Sequence, residues 1–225
     1  MSWFGELYRS AVAKKAVMAI SGIVLFGFVL GHMAGNLKIF EGSESFNAYS
    51  EWLRDVGYPL LPHEGALWLV RLVLLVAIVL HMWSALELTR MSRRARPDDY
   101  VHRRGFQLDY AARTMRWSGV LVGLYVVYHL MHFTFGTVHH DFVAGDVYHN
   151  LVSGFQLWPI SAVYIAANVL LGFHLYHGLW SIFQSLGWND SGYGGWRRGF
   201  AITFCVVVTL GFISVPVAVM TRVVS

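Results

Sequence analysis

The stretch WPISAVYIAANVLLGFHLYHGLWSIFQSL, from Trp158 to Leu186, decides the fold class. It contains no Asp, Glu, Lys or Arg, and it exceeds the about 20 apolar residues that a transmembrane helix needs. Two imidazoles nevertheless lie within it, at His174 and His177. Because a polar ring in hydrocarbon is unfavourable without a partner, these histidines predict a functional partner inside the membrane.

The composition of the whole chain also indicates a membrane protein. Its 225 residues are 56% hydrophobic and 13% charged, whereas soluble domains carry about 25% charged residues. The aromatic content of 16% is typical of proteins with rings at both membrane interfaces. The net charge of +4 comes without a basic stripe interleaved with aromatics, so we expect no nucleic-acid binding.

The single cysteine, Cys205, restricts the cofactors that this chain could hold. One thiol cannot form a disulfide within the chain, attach a haem through a Cys-x-x-Cys-His motif, or ligate an iron–sulfur cluster. A redox cofactor in this chain must therefore be held by other ligands.

Five apolar stretches predict an all-α membrane protein of one domain, residues 1–225, with five transmembrane helices. The first stretch is too long for the core of a signal peptide, so we expect it to be retained. The predicted spans are roughly 16–37, 65–88, 117–138, 158–186 and 200–219.

The distribution of Lys and Arg predicts the orientation. Lysines precede the first span at 14–15, eight arginines lie within 90–116, and arginines precede the fifth span at 197–198. Residues 137–157 contain no Lys or Arg. The positive-inside rule then places the N-terminus in the cytoplasm and the C-terminus outside, in the cell (inner) membrane. The arginines could serve topology alone or also a cytoplasmic partner.

Histidines are distributed over four of the five predicted spans. The fifth span has no histidine. The histidines at 63, 102, 139, 140 and 149 lie in predicted loops, where a solvated imidazole needs no explanation. The histidines within the spans are His32 in the first, His81 in the second, His129 and His132 in the third, and His174 and His177 in the fourth.

The positions of four histidines along their helices predict two depths. At a rise of ~1.5 Å per residue, His32 lies ~25 Å and His129 ~20 Å from the inner ends of their spans. His81 and His174 each lie ~24 Å from the outer ends of theirs. In a core about 30 Å thick, the first two lie near the outer face and the other two near the inner face.

Two non-covalent haems, stacked across the bilayer, would use all four imidazoles as axial ligands. Hydrogen bonding between helices and a proton relay are alternatives, whereas a zinc site would need its ligands at one level. Gly27, Gly31 and Gly35 form a stripe beside His32 that allows close approach of either a flat macrocycle or another helix.

Five motifs together resemble a known family over essentially the whole chain. The motifs are LGHMAGN at Leu30–Asn36, FNAYSEWLR at Phe46–Arg54, LHMWSALEL at Leu80–Leu88, VYHLMHF at Val127–Phe133 and HLYHGLWSIFQSLGW at His174–Trp188. In these motifs and their order the chain is similar to the single-chain, five-span, di-haem b558-type cytochrome b subunit of succinate:quinone oxidoreductases.

The resemblance implies a ligand set and a role. His32 and His129 would ligate the iron of the distal haem b, and His81 and His174 that of the proximal haem b. His177 would pack or contact a haem propionate. The chain would carry electrons to a membrane quinone, menaquinone, and would hold no catalytic residue. An iron–sulfur subunit and a flavoprotein subunit with FAD, bound on the cytoplasmic side, would oxidise succinate in respiratory complex II.

The sequence does not assign a position to the quinone site, and it allows two roles for each of two charged residues. Glu64 could take part in coupled proton uptake or be an ordinary loop carboxylate, and Arg71 could hold a propionate or extend to the interface. The alternatives for function are a cytochrome b of a hydrogenase or formate dehydrogenase, or a haem-free transporter or structural anchor. Inverted repeats with broken helices would favour a transporter, and we find none in the sequence.

Overall fold

The computed structural model describes residues 10–95, 106–185 and 194–225, without the side chains of 106–113, 183–185 and 194. All regular secondary structure in these ranges is helical, as predicted. A 3₁₀ turn, Lys38–Glu41, follows the first helix, and a π-helical turn, Leu130–Thr134, follows the fourth. The helices are α1 Ala11–Leu37, α2 Ser43–Asp55, α3 Gly65–Arg94, α4 Phe106–His129, α5 Val147–Gln156, α6 Trp158–Ser185 and α7 Gly194–Met220.

Four helices in the described ranges are long and apolar enough to cross a membrane, which supports a membrane protein. Large apolar side chains on α3, such as Leu72, Leu75 and Val79, are more than half exposed, as expected for a surface that lipid covers. The four segments are Ala11–Glu41, Gly65–Arg94, Trp158–Ile182 and Gly195–Met220.

The third predicted span, 117–138, is helical but is not among these four segments. It lies on α4 and the π turn, and the helical conformation ends at Thr134 rather than at 138. Phe135 donates its backbone N–H to the Leu130 carbonyl at 2.9 Å, which closes the wider turn. The residues after it lie in a loop rather than in the predicted helix.

The long helices pack as two pairs, α1 with α3 and α4 with α6, and α7 packs against α6 and α1. At one end of the first pair, Lys14 Nζ lies 3.2 Å from a carboxylate oxygen of Glu87, which links the start of α1 to the end of α3. Because α1 and α3 run in opposite directions, these residues meet at the same end of the bundle.

Two short helices, α2 and α5, cover the opposite end, and we call them the end cap. The sequence indicated only loops there. Asn47 of α2 donates to Asp146 Oδ1 at 3.0 Å, and its own oxygen accepts from the Tyr148 backbone N–H at 3.0 Å. Asp146 also caps α5 by accepting from the His149 N–H at 2.9 Å. Residues 150–155 of α5 are buried, so this connection is part of the core.

Candidate functional site

The structure brings four of the predicted histidines together in two pairs. His32 of α1 faces His129 of α4, with ring centroids 5.8 Å apart and ring planes at 79°. His81 of α3 faces His174 of α6, with centroids 6.3 Å apart and planes at 70°. We call these the outer pair and the inner pair, after their predicted depths. Each histidine pair joins one helix of the packed pair α1 and α3 to one helix of the packed pair α4 and α6.

The two pairs lie at different levels along the bundle. His81 contacts Ser21 of α1, and His174 contacts Ser118 of α4. Each serine precedes the outer-pair histidine of its own helix by 11 residues. At ~1.5 Å per residue, the inner pair is therefore displaced by ~16 Å from the outer pair along the helix axes.

The separation within each pair is suitable for a metal ion between two imidazoles. Metal–imidazole bonds of about 2 Å on opposite sides of one ion would place the ring centroids about 6 Å apart. Both observed separations, 5.8 and 6.3 Å, lie close to this value. Two imidazoles that face each other at one level could hold a haem iron from both sides.

Hydrogen bonds at the inner pair define which ring nitrogen is available. Nδ1 of His81 lies 3.2 Å from the Met18 carbonyl and 3.5 Å from the Ser21 hydroxyl. Nδ1 of His174 lies 3.3 Å from the Ser118 hydroxyl. A ring that donates from Nδ1 keeps its lone pair on Nε2, the arrangement typical of metal-ligating histidines.

Glycines beside the two serines allow the rings to approach the helices. A Cβ atom at Gly22 would lie 3.4 Å from Cε1 of His81, and one at Gly119 would lie 3.3 Å from Cε1 of His174. A larger side chain at either position would displace the imidazole. Ser–Gly on α1 and Ser–Gly on α4 therefore form matching seats for the two inner histidines.

The outer pair has aromatic neighbours. Phe28 stacks on His32 with centroids 5.2 Å apart, and the Tyr164 hydroxyl lies 3.5 Å from Nδ1 of His129. The same hydroxyl lies 3.0 Å from Nδ1 of His132, which is fully buried. Nε2 of His132 has no hydrogen-bond partner among the described residues.

Two spans each carry two histidines three residues apart, and the structure shows which one of each faces a histidine of another helix. His129, not His132, lies opposite His32, and His174 rather than His177 lies opposite His81. His177 is half-buried, and its ring contacts that of its neighbour Tyr176 at a centroid distance of 5.4 Å.

Glu64 and Arg71 have other partners in the described structure. Glu64 lies 3.4 Å from Nε of Arg54, in an ion pair beside α2. The guanidinium of Arg71 lies 4.7 Å from the centroid of the exposed Trp68 ring. These contacts favour the loop-carboxylate interpretation of Glu64 and the interfacial interpretation of Arg71.

The glycine stripe on α1 divides into two parts. A Cβ atom at Gly27 or Gly31 would meet no heavy atom within 4 Å, so no helix in the described ranges packs closely there. At Gly35 a Cβ would lie 2.9 Å from the Tyr49 hydroxyl. Gly35 of α1 therefore packs closely against α2 of the end cap, whereas the open space beside Gly27 and Gly31 would admit a flat group.

Two histidines that the sequence placed in solvated loops have defined contacts. His149 lies on α5, and its Nε2 is 3.0 Å from Asp141. His139 stacks on His132 with centroids 4.6 Å apart, and its Nε2 donates to the Asn150 carbonyl at 2.8 Å. Both belong to the packing around the end cap.

Sequence reasoning missed Ser21, Ser118 and Tyr164. A signal for the serines was present, because Ser–Gly recurs at the same distance before His32 and before His129. No comparable signal marks Tyr164, whose role depends on how α6 is rotated towards α4.

A scan against protein-family models gives no match, and comparisons with curated proteins and with solved structures give none either. The function is therefore argued from the residues and geometry of the site.

Proposed function

We propose that this chain is the membrane-anchor cytochrome b subunit of a succinate:quinone oxidoreductase, carrying two non-covalent haem b groups. The observation that carries the proposal is the pair of opposed imidazoles at each of two levels, with centroid separations of 5.8 and 6.3 Å. The motif resemblance over the whole chain supports the choice of family.

The residues that would hold the two groups are His32 and His129 at the outer level and His81 and His174 at the inner level. A haem bound at each level would supply one-electron redox chemistry. The contacts of Nδ1 in His81 and His174 leave Nε2 of each ring free to ligate.

Side chains around the pairs keep the site apolar. Phe28 covers one face of His32, and Tyr164 is buried beside His129. The ring and hydrogen-bond contacts of the four histidines in the described part of the chain are with aromatic rings, hydroxyl groups and a backbone carbonyl.

The proposal includes five membrane crossings, with α4 and its π turn as the third. The N-terminus and the Arg-rich connection 90–116 would face the cytoplasm, and the C-terminus would lie outside. Iron–sulfur and FAD-containing subunits would bind at the cytoplasmic end, where Lys14 and Glu87 pair. Their electrons would reach menaquinone, the proposed acceptor in the cell membrane.

The decisive experiment is to express the full chain with haem available, purify it in detergent and record its spectrum. The expected result is a red protein with b-type absorption bands and about two haems per chain by pyridine haemochromogen assay. A colourless, folded protein would overturn the proposal and favour a transporter or a structural anchor. Recovery of a hydrogenase or formate dehydrogenase subunit with the native chain would instead reassign the partner.

A further inference from the structure

Two long helices repeat one local sequence ahead of the outer histidines. MAISG precedes His32 on α1 and MRWSG precedes His129 on α4, and in both the methionine lies 14 residues before the histidine. The repeat would place Ser21 and Ser118 at one level of the bundle, about three turns from the outer pair.

Each repeated serine contacts the inner histidine of a neighbouring helix. Ser21 of α1 lies 3.5 Å from Nδ1 of His81 on α3, and Ser118 of α4 lies 3.3 Å from Nδ1 of His174 on α6. Both serines are buried, at 4% and 5% exposure, so water does not compete for these contacts. The same local sequence thus serves both members of the inner pair.

The direction of the serine–histidine hydrogen bonds follows from the backbone carbonyls nearby, which can only accept. Ser21 donates its hydroxyl hydrogen to the Val17 carbonyl at 2.7 Å, and Ser118 donates to the Met115 carbonyl at 3.0 Å. Each hydroxyl oxygen therefore faces the imidazole as an acceptor. The Met18 carbonyl of the repeat also accepts from the His81 ring, at 3.2 Å.

Nδ1 of each inner histidine must consequently carry the hydrogen, and Nε2 must carry the lone pair. We infer that Ser21 and Ser118 are positioning residues that fix this tautomer and raise the basicity of the two inner axial ligands. The inference rests on the proposed function, because it concerns ligands to haem iron. Acceptors at the second ring nitrogen increase ligand basicity and stabilise the oxidised metal.

Loss of one acceptor should therefore raise the midpoint potential of the inner haem and leave the outer haem unchanged. The experiment is a spectroscopic redox titration of the purified haem-loaded chain and its variants S21A, S118A and the double variant. We expect the largest upward shift in the double variant, because each single variant removes the serine acceptor of only one of the two inner rings.

Two controls separate positioning from general packing. S21T and S118T keep the hydroxyl, so their inner-haem potentials should return towards that of the wild type. Ser161 is a fully buried serine whose hydroxyl donates to the Phe155 carbonyl at 2.7 Å, away from the inner pair. S161A should leave the inner-haem potential unchanged.

Unchanged inner-haem potentials in S21A, S118A and the double variant, with two haems bound, would overturn the inference. The inference would also be overturned if S161A or the threonine variants shifted the inner-haem potential as much as S21A and S118A do. Selective loss of the inner haem in the alanine variants, with retention in the threonine variants, would support it. A wild-type chain that binds no haem would instead refute the proposed function itself, and the two failures are therefore distinguishable.

Discussion

The Tyr164 hydroxyl lies 3.0 Å from Nδ1 of His132, an imidazole with no exposed surface. The hydroxyl also approaches Nδ1 of His129 at 3.5 Å, so one phenol connects the outer ligand to a second buried histidine. This contact crosses from α6 to the π turn after α4. It links the outer level of the candidate site to the packing of the end cap.

Replacement of Tyr164 by Phe should destabilise the protein, because it leaves Nδ1 of His132 buried without its partner. An unsatisfied buried polar group costs about 1–3 kcal/mol, and we expect a lower thermal unfolding midpoint in detergent. Tyr128→Phe is the matched control, since that ring stacks on His132 with centroids 5.6 Å apart. Equal midpoints for Tyr164→Phe and the wild type would show that the hydrogen bond contributes little.

Under the proposed function, substitution of the paired histidines should remove one haem at a time. His81→Ala or His174→Ala should lose the inner haem, and His32→Ala or His129→Ala the outer haem, because each iron depends on two axial rings. The haem content per chain, measured by pyridine haemochromogen assay, should fall from about two to about one.

The neighbouring histidines provide the control for the ligand substitutions. His132→Gln and His177→Gln should retain both haems, because His129 and His174 are the rings that face a histidine of another long helix. The register assigned to α6 would be wrong if His177→Gln lost a haem while His174→Ala kept both.

Glycine substitutions on α4 should distinguish a close approach from open space. A Cβ atom at Gly119 would lie 3.3 Å from Cε1 of His174, whereas one at Gly123 would meet nothing within 4 Å. Gly119→Leu should therefore displace the His174 ring and reduce the content of the inner haem, and Gly123→Ala should not. The α-band of the reduced spectrum measures both effects, and equal haem content in the two variants would contradict the proposed seat.

Helix positions and the pairing of the histidines could be predicted from the sequence because both follow from local rules. Long apolar runs predicted the long helices, although α1 begins and α3 ends several residues beyond the predicted spans. The fixed rise per residue then placed His32 with His129 and His81 with His174 at separate levels. The structure brings the same residues face to face.

Other features could not be predicted because they depend on contacts between distant segments. The end-cap helix α5 forms within a connection that lacks a long apolar run, and the buried Asn150 bonds to backbone groups of Val143. Similarly, the partners of the inner histidines depend on how each helix is rotated about its axis. The repeated Ser–Gly was visible in the sequence, but only the packing shows which ring it contacts.

The end cap should depend on pH through Asp146. The pKa of this carboxyl is lowered, first by the hydrogen bond from the His149 backbone N–H and then by that from the Asn47 amide. Stabilisation by the charged carboxylate is therefore complete above the ordinary carboxyl pKa of 3.8 and is lost as the pH falls through the lower folded-state value.

Asp146→Ala should lower the free energy of unfolding by about 1 kcal/mol at neutral pH, the usual effect of losing a helix N-cap. The difference from the wild type should shrink as the pH falls below 3.8, because the unfolded wild-type chain then binds a proton at this carboxyl and the folded chain does so only below its lower pKa. Asp146→Asn keeps a side-chain oxygen that can cap α5, so its stability should vary less with pH. Denaturant titrations of the three proteins at neutral and acidic pH measure these differences, and a constant difference between Asp146→Ala and the wild type at all pH values would refute the role of the charge.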